Sequence, residues 1–421
     1  MKTLSLSCIL FLCITLTLSA QTTTLRFGKL ITGQGAVVAD AVVVIEGNRI
    51  KTVASGDANV PPNTTLIDLR PLTGIPGLID AHTHITFYWD RAPGTNPWKT
   101  YERMSPATTV FLAQESARKT LETGVTSIRD LGSWAGMDLS MRDLINRGAM
   151  IGPRLFVAGN GLHVTSKAYD PWLTELDPGK ADGVDAVMKV ARQEIASGVD
   201  WIKIYGSTGS DKDVTGFQTY TYEEMKAAVD IAHKAGKRVA IHSYGPDGAK
   251  DAIRAGAESV EHATGVDKAT FEAMIKQGTF YVPTVDHNRY YIDHREEYGY
   301  DQQVVKGLQD YFNRNFESLK LAVQMKVKIA MGSDAVFTGF GENTRELEWF
   351  VKAGMTPEQA LQTATVNGAA LLGKANELGA IAPGFLADIV GVAGDPLQDI
   401  NVVIKGVRWV MKDGKIVIDK K

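Results

Sequence analysis

Apolar and polar positions alternate along this chain in two different ways. From Thr24 to about Asp68 the apolar runs are short and alternate with polar residues, the period of half-buried strands. The stretch AVVVIEGNRIKTVA, Ala41 to Ala54, predicts a hairpin turning at Glu46-Gly47-Asn48. Near the other end, LADIVGVAGDP and INVVIKGVRWVMKDGKIVI predict further strands, with Asp413-Gly414 as a second hairpin turn. Two strand-rich ends around a different middle predict one small β-sandwich domain built from residues 21–76 and 374–421.

The middle, residues 77–373, alternates strand-like runs with amphipathic helix-like ones. Eight strands are expected: Leu78–Ala81, Val125–Asp130, Arg154–Ala158, Trp201–Tyr205, Arg238–His242, Ser259–His262, Phe280–Pro283 and Val327–Gly332. Helical periodicity falls between most of them, at Pro106–Glu122, Val184–Ala196, Tyr222–Ala235, Lys268–Lys276 and Gln302–Gln324. Eight parallel strands with crossover helices predict a (β/α)8 TIM barrel, whose chemistry gathers at the C-terminal strand ends. A doubly wound sheet is the alternative, but no Gly-x-Gly-x-x-Gly follows the first strand. The loop from His84 to Ser105 is long and rich in Trp, Tyr and Pro, as suits a substrate-facing lid.

Composition narrows the chemistry. At 421 residues, 44% apolar and 22% charged, the chain has room for one large α/β domain and a smaller one. A net charge of −3 offers no electrostatic reason to bind nucleic acid. Residues 1–20 read as a signal peptide: Lys2, a mostly apolar run from Leu4 to Leu18, then Leu18-Ser19-Ala20 before Gln21. The run is too short for a comfortable membrane span, so an exported, periplasmic or secreted protein without a stable membrane anchor is expected. Cys13 lacks the small residue that precedes a lipobox cysteine. Both cysteines, Cys8 and Cys13, lie in this leader. The mature chain then excludes disulfides, cysteine nucleophiles and thiolate metal sites, and any metal must be held by His, Asp, Glu or a less usual group.

Such groups recur at strand ends. In IPGLIDAHTHI, His82 and His84 stand two apart after an apolar strand, which points both rings to one side. RVAIHSYG ends a strand on His242, ESVEHATG ends the next on His262, and VKIAMGSDA places Asp334 just past the last. Four histidines and an aspartate at the mouths of four strands form a natural metal-binding set. His233 and His294 have no such placement and are expected to face solvent. DWIKIYG, on the fourth strand, puts Lys203 where an unpaired ammonium is costly. It is either salt-bridged to Asp200 or Glu258, or carbamylated by CO2 into a carboxylate that bridges two divalent cations. With a bridging hydroxide the second arrangement leaves the centre a net single positive charge, suited to a carboxylate-bearing or polarised substrate.

These motifs, with GVTSIRDLG, WIKIYGSTG and VEHATG, resemble the amidohydrolase superfamily over essentially the whole mature chain. They are most similar to its binuclear-metal Xaa-Pro and C-terminal dipeptidases, whose relatives hydrolyse ochratoxin-type N-acyl amino acids. The resemblance implies that His82, His84 and Asp334 hold one metal, that His242 and His262 hold the other, and that carbamylated Lys203 bridges them. It implies amide hydrolysis by a bridging hydroxide, with Asp334 as general base and then acid. Zinc is the first expectation for the cofactor, with manganese or cobalt as alternatives. The expected partner is a dipeptide or other small-molecule substrate; members of the superfamily often form symmetric homo-oligomers.

Other positions are substrate-contact candidates: His163 after the third strand, Tyr205 on the Lys203 face, and His287 after the seventh strand. Any of the three would steady an oxyanion or a substrate carboxylate. Arg129 and Asp130 are expected to form an ion pair beneath the site, and Gly206 and Gly209 to let their loop pass close to a ligand. Two rival readings are a cyclic-amide hydrolase (imidazolonepropionase-like) or deaminase with a single metal, and a non-catalytic binding protein that keeps the fold.

Overall fold

The computed structural model describes residues 22–97, 99–100, 104–165, 178–208 and 217–420. The expected leader, Gly209 and part of the loop before Ser105 lie outside them. The two chain ends meet in one eight-stranded sheet. Its order runs Lys415–Asp419, Val407–Lys412, Ile389–Val392, Thr73–Pro76, Thr22–Ile31, Val37–Glu46, Arg49–Ser55, with Thr65–Asp68 also paired to Thr22–Ile31. The first hairpin pairs Glu46 with Arg49 and the second pairs Lys412 with Lys415, so Gly47-Asn48 and Asp413-Gly414 are the two-residue turns. Alternate residues bury Leu25, Phe27, Val43, Ile45, Ile389, Trp409 and Met411 in a core of their own.

The middle forms the barrel. Seven parallel strands run Leu78–Thr83, Val125–Asp130, Arg154–Val157, Trp201–Tyr205, Arg238–Ser243, Ser259–His262 and Phe280–Val282. All but Arg154–Val157, which alternates, are buried along most of their length, as strands covered on both faces must be. The expected helices are present, four of them started by side-chain caps from Ser105, Thr221, Asp267 and Asp301. No helix among the described residues is long and apolar enough to cross a membrane.

The eighth strand differs from expectation. Instead of a regular ladder over Val327–Gly332, this segment closes the barrel through isolated bridges, Tyr281 to Ile329 and Thr83 to Ala335. Tyr281 N–H donates to Lys328 O at 2.8 Å and Ala81 N–H to Met331 O at 2.8 Å, but Met331 N–H turns away to Thr363 O at 3.1 Å. Just past the segment the chain is held by the first strand. Ser333 N–H donates to the Asp80 carboxylate at 2.9 Å, and Asp334 N–H to the His82 carbonyl at 2.8 Å. Asp334 itself takes a left-handed φ of 52°, which turns its side chain out of the strand direction and over the barrel mouth. The seam between third and fourth strands is equally thin, closed by Leu162 N–H to Lys203 O at 2.8 Å and Tyr205 N–H to Leu162 O at 2.9 Å.

Candidate metal centre

The six expected ligand positions converge at one end of the barrel. His82 and His84, on one side of the first strand end, have ring centroids 5.4 Å apart. Their Nε2 atoms lie 3.5 and 3.4 Å from Asp334 Oδ1. One donor atom from each of the three falls within 4.8 Å of the others, and all three residues are buried, an arrangement that fits a single cation. Beside it, the His242 and His262 rings stand 4.4 Å apart, with His262 also 4.9 Å from His82. Parallel pairing of Ser243 with His262 sets these two at neighbouring strand ends.

Lys203 sits under the group, with none of its surface exposed. Neither salt-bridge partner considered from sequence is available to it: Asp200 is 3.2 Å from Arg142, and Glu258 is 3.0 Å from His233. Burial pushes the Lys203 amine from an ordinary 10.5 down to about 8, although Glu261 and Asp334 pull the other way. Among the described residues, His82 Nε2, Lys203 Nζ and His242 Nε2 are all buried without a hydrogen-bond partner. Three orphaned nitrogens in one place carry a desolvation cost that a bound metal group would offset.

Electrostatics prepare the imidazoles as ligands. Burial lowers His82 to about 4 and His242 and His262 well below the usual range, so all three stay neutral with a lone pair free. Burial by itself would raise Asp334, but His287, His82 and His84 hold its carboxyl well below the usual carboxylate range. It is therefore an anion at neutral pH.

The nitrogens that turn away from the centre are held. His82 Nδ1 is 2.8 Å from Glu261 Oε2, His84 Nδ1 is 3.0 Å from Gly132 O, and His262 Nδ1 is 2.7 Å from Thr284 Oγ1. Such outer partners fix tautomer and ring orientation at metal sites. Asp80 ties the first and last strands together, accepting from Ser333 Oγ at 2.6 Å and Asn343 Nδ2 at 2.9 Å. Non-glycine residues with left-handed φ cluster here: 71° at His262, 30° at Ala263, 48° at Thr284 and 52° at Asp334. Strain of this kind, on the order of 1–3 kcal/mol per residue, persists where the surroundings over-determine it.

The softer candidates separate. His287 Nδ1 is 2.8 Å from the Asp334 carbonyl oxygen and 3.4 Å from its Oδ2, so it reaches the rim of the centre. The Tyr205 ring is 6.0 Å from that of His242, but its hydroxyl donates to Leu131 O at 3.2 Å. It lies in a cradle that needs glycine: a Cβ on Gly132, at φ 145°, would stand 2.0 Å from the Tyr205 oxygen. His163 is buried, with Nδ1 3.2 Å from Val164 O. Gly206 packs against the neighbouring strand, where a Cβ would meet His242 O at 2.8 Å.

Two expectations fail. Arg129 does not pair with Asp130; strand alternation sends these neighbours to opposite faces. Arg129 crosses to Glu261 at 2.9 Å, while Asp130 accepts from Thr83 Oγ1 at 3.0 Å and from the Ile85 amide. His294 is only partly exposed, because its ring stacks on Tyr290 with centroids 4.0 Å apart. His233, 41% exposed at the side chain, does face solvent. Sequence reasoning also missed Glu261 and Tyr244. The Tyr244 ring is 4.2 Å from His242 and 5.3 Å from His262. Its position two residues after His242 carries the same period-two signal that singled out His82 and His84.

A closed α/β barrel with a separate sheet from both termini, carrying histidines and an aspartate at its strand mouths, defines a barrel hydrolase. Residues 73–417 match the model of the amidohydrolase family, and the chain belongs to that family, as a hydrolase acting on amide bonds. It is 29% identical over 432 residues to ochratoxinase from Aspergillus niger, covering 94% of this chain and 87% of that protein. A crystal structure of the A. niger ochratoxinase matches with a TM-score of 0.83 at 27% identity, over 95% of this chain and 96% of that one. A Xaa-Pro dipeptidase structure with methionine bound in its active site has a TM-score of 0.84 and 32% identity, over 94% and 99% of the two chains. A prolidase complexed with N-methylphosphonate-L-proline has a TM-score of 0.85 and 28% identity, over 95% and 100%.

Proposed function

We propose that this chain is an exported two-metal hydrolase that cleaves the amide bond of a dipeptide or N-acyl amino acid, of the Xaa-Pro or ochratoxin type. The observation that carries the reading is the trio of buried, unpartnered nitrogens on His82, Lys203 and His242. Export rests on the leader-like residues 1–20. His82, His84 and Asp334 hold one divalent cation and His242 and His262 the other, zinc first given nitrogen and oxygen donors, with manganese or cobalt as substitutes. Lys203 would bridge them as a carbamate, formed when Nζ bonds to the carbon of CO2 and gives up a proton. Only a neutral amine does this. At a pKa near 8 about a tenth of the amine is neutral at pH 7, against well under a thousandth at the ordinary value.

When bound, the two cations supply Lewis acidity, polarising the amide carbonyl and lowering the pKa of the attacking water. Asp334 takes the proton from that water and delivers it to the departing amine as the C–N bond breaks. His287, at the Asp334 rim, and Tyr244, whose ring lies against His242, are the side chains assigned to meet substrate, with His163 and Tyr205 as further candidates. The likeness to a prolidase that binds a phosphonate-proline, to a Xaa-Pro dipeptidase and to ochratoxinase supports an amide whose leaving group is an amino acid.

Chelation should abolish hydrolysis of Xaa-Pro dipeptides and N-acyl amino acids, and zinc, manganese or cobalt should restore it at two ions per chain. Unchanged turnover after verified metal removal would sink the proposal, and one ion per chain would favour the cyclic-amide hydrolase or deaminase. With dissolved CO2 held at one concentration across the series, reactivation of the metal-free protein should speed up about tenfold per pH unit up to about 8 and then level off, tracking the neutral amine. A rate still climbing tenfold per unit beyond pH 9 would mean that Lys203 keeps an ordinary lysine pKa.

A further inference from the structure

Glu261 is a charged residue that the proposed reaction does not use, yet it has no exposed surface. Its carboxylate joins three strands across the barrel interior. Oε2 lies 2.8 Å from His82 Nδ1 on the first strand, and Oε1 lies 2.9 Å from Arg129 on the second. Ser259, two residues earlier on the same sixth strand, donates its hydroxyl to Oε1. Arg129, itself fully buried, also donates to Ala81 O at 2.6 Å and to Ser259 Oγ at 2.9 Å, and its guanidinium lies 4.4 Å from the centroid of the Trp201 ring. The second and sixth strands are not neighbours, so only the interior brings these groups together. A buried ion pair is seldom a net gain over apolar residues of the same size, and its recurrent use is to specify one arrangement.

What it specifies here follows from hydrogen-bond chemistry. A carboxylate only accepts, so His82 Nδ1 must carry the hydrogen and Nε2 the lone pair. Nε2 is the atom that is buried without a partner and that stands 3.5 Å from Asp334 Oδ1. With the other tautomer, Nε2 would present a hydrogen to the place where a cation belongs.

We infer that Glu261 is a positioning residue for the cation of His82, His84 and Asp334, fixing His82 in its Nδ1–H form, with Arg129 and Ser259 holding the carboxylate in place. This rests on the two-metal reading above. The cation of His242 and His262 does not depend on it, because the His262 ring is held separately by Thr284.

The test is a cobalt(II) titration of the metal-free protein against a competing chelator, followed by visible d–d absorbance. Wild type should take up two ions tightly. Glu261→Gln keeps the size but turns one oxygen into a donor, and it should weaken one ion by about 10–100-fold and leave the other unchanged. Circular dichroism and a melting curve establish that the variant is folded. Ser259→Ala, which removes one bond to Glu261 without touching a charge, should weaken the same ion less, and it carries the test if the first variant does not fold. Two ions as tight as in wild type, or both weakened alike, would overturn the inference, the latter by marking a merely structural role. A wild type that takes up fewer than two ions overturns the two-metal reading itself.

Discussion

Lys203→Ala should cost the protein its activity and its second metal together. The expected fall in kcat/KM is on the order of 10³-fold or more, at the upper end of what loss of one preorganised electrostatic group produces. The variant should fold. Lys203 Nζ is buried with no hydrogen-bond partner among the described residues, so the metal-free chain loses no hydrogen bond there when the side chain is truncated. It is relieved of a group whose charged form burial already disfavours. Alanine leaves a space the size of the lysine arm beside His82 and His242. Acetate or propionate can enter it and present a carboxylate where the carbamate stood, so either should restore part of the activity, whereas methylamine should not. Metal content and turnover measured on one preparation decide the matter. A variant that keeps two ions and full rate would show that Lys203 is no bridge.

Asp334→Asn separates holding a metal from moving a proton. Asparagine matches the size of the aspartate, and its carbonyl oxygen remains a weak donor, so part of the metal should stay. It cannot take a proton, and kcat should fall by about 10²–10⁴-fold, the usual contribution of a positioned acid–base group. His287, His82 and His84 keep the Asp334 carboxylate ionised well into acid. The wild-type rate should therefore show no loss from this group near neutrality. A kcat per bound metal equal to that of wild type would remove the proton-carrying role and leave Asp334 a ligand only.

How far the site was legible beforehand depended on the kind of contact. His82, His84, His242 and His262 were readable because period two is local: within one strand it states which side chains share a side. The same rule would have found Tyr244. Glu261 was hidden for the opposite reason. It precedes a ligand and looks like an ordinary strand residue; its role comes from Arg129, 132 positions away, and from His82, 179 positions away. Arg129 was assigned the wrong partner by adjacency, although the same alternation that placed the histidines sends Asp130 to the other face. The eighth strand was overread because apolar residues from Val327 to Gly332 have strand-like character, while its backbone meets the first and seventh strands at only a few points and Met331 N–H turns away to Thr363 O.

The sequence by itself determined the alternation of strands and helices, the β-rich ends, and the residue types that stand at strand mouths, because each follows from periodicity over a few residues. Only the tertiary structure decided that Lys203 has no salt-bridge partner among the described residues, that Glu261 faces His82, and that Asp334 leaves the last strand to lie over the centre. Burial, and the partner a buried group finds, are properties of strands closed around one interior. Residues far apart in the chain compete there for the same few donors and acceptors, and no local pattern records the outcome.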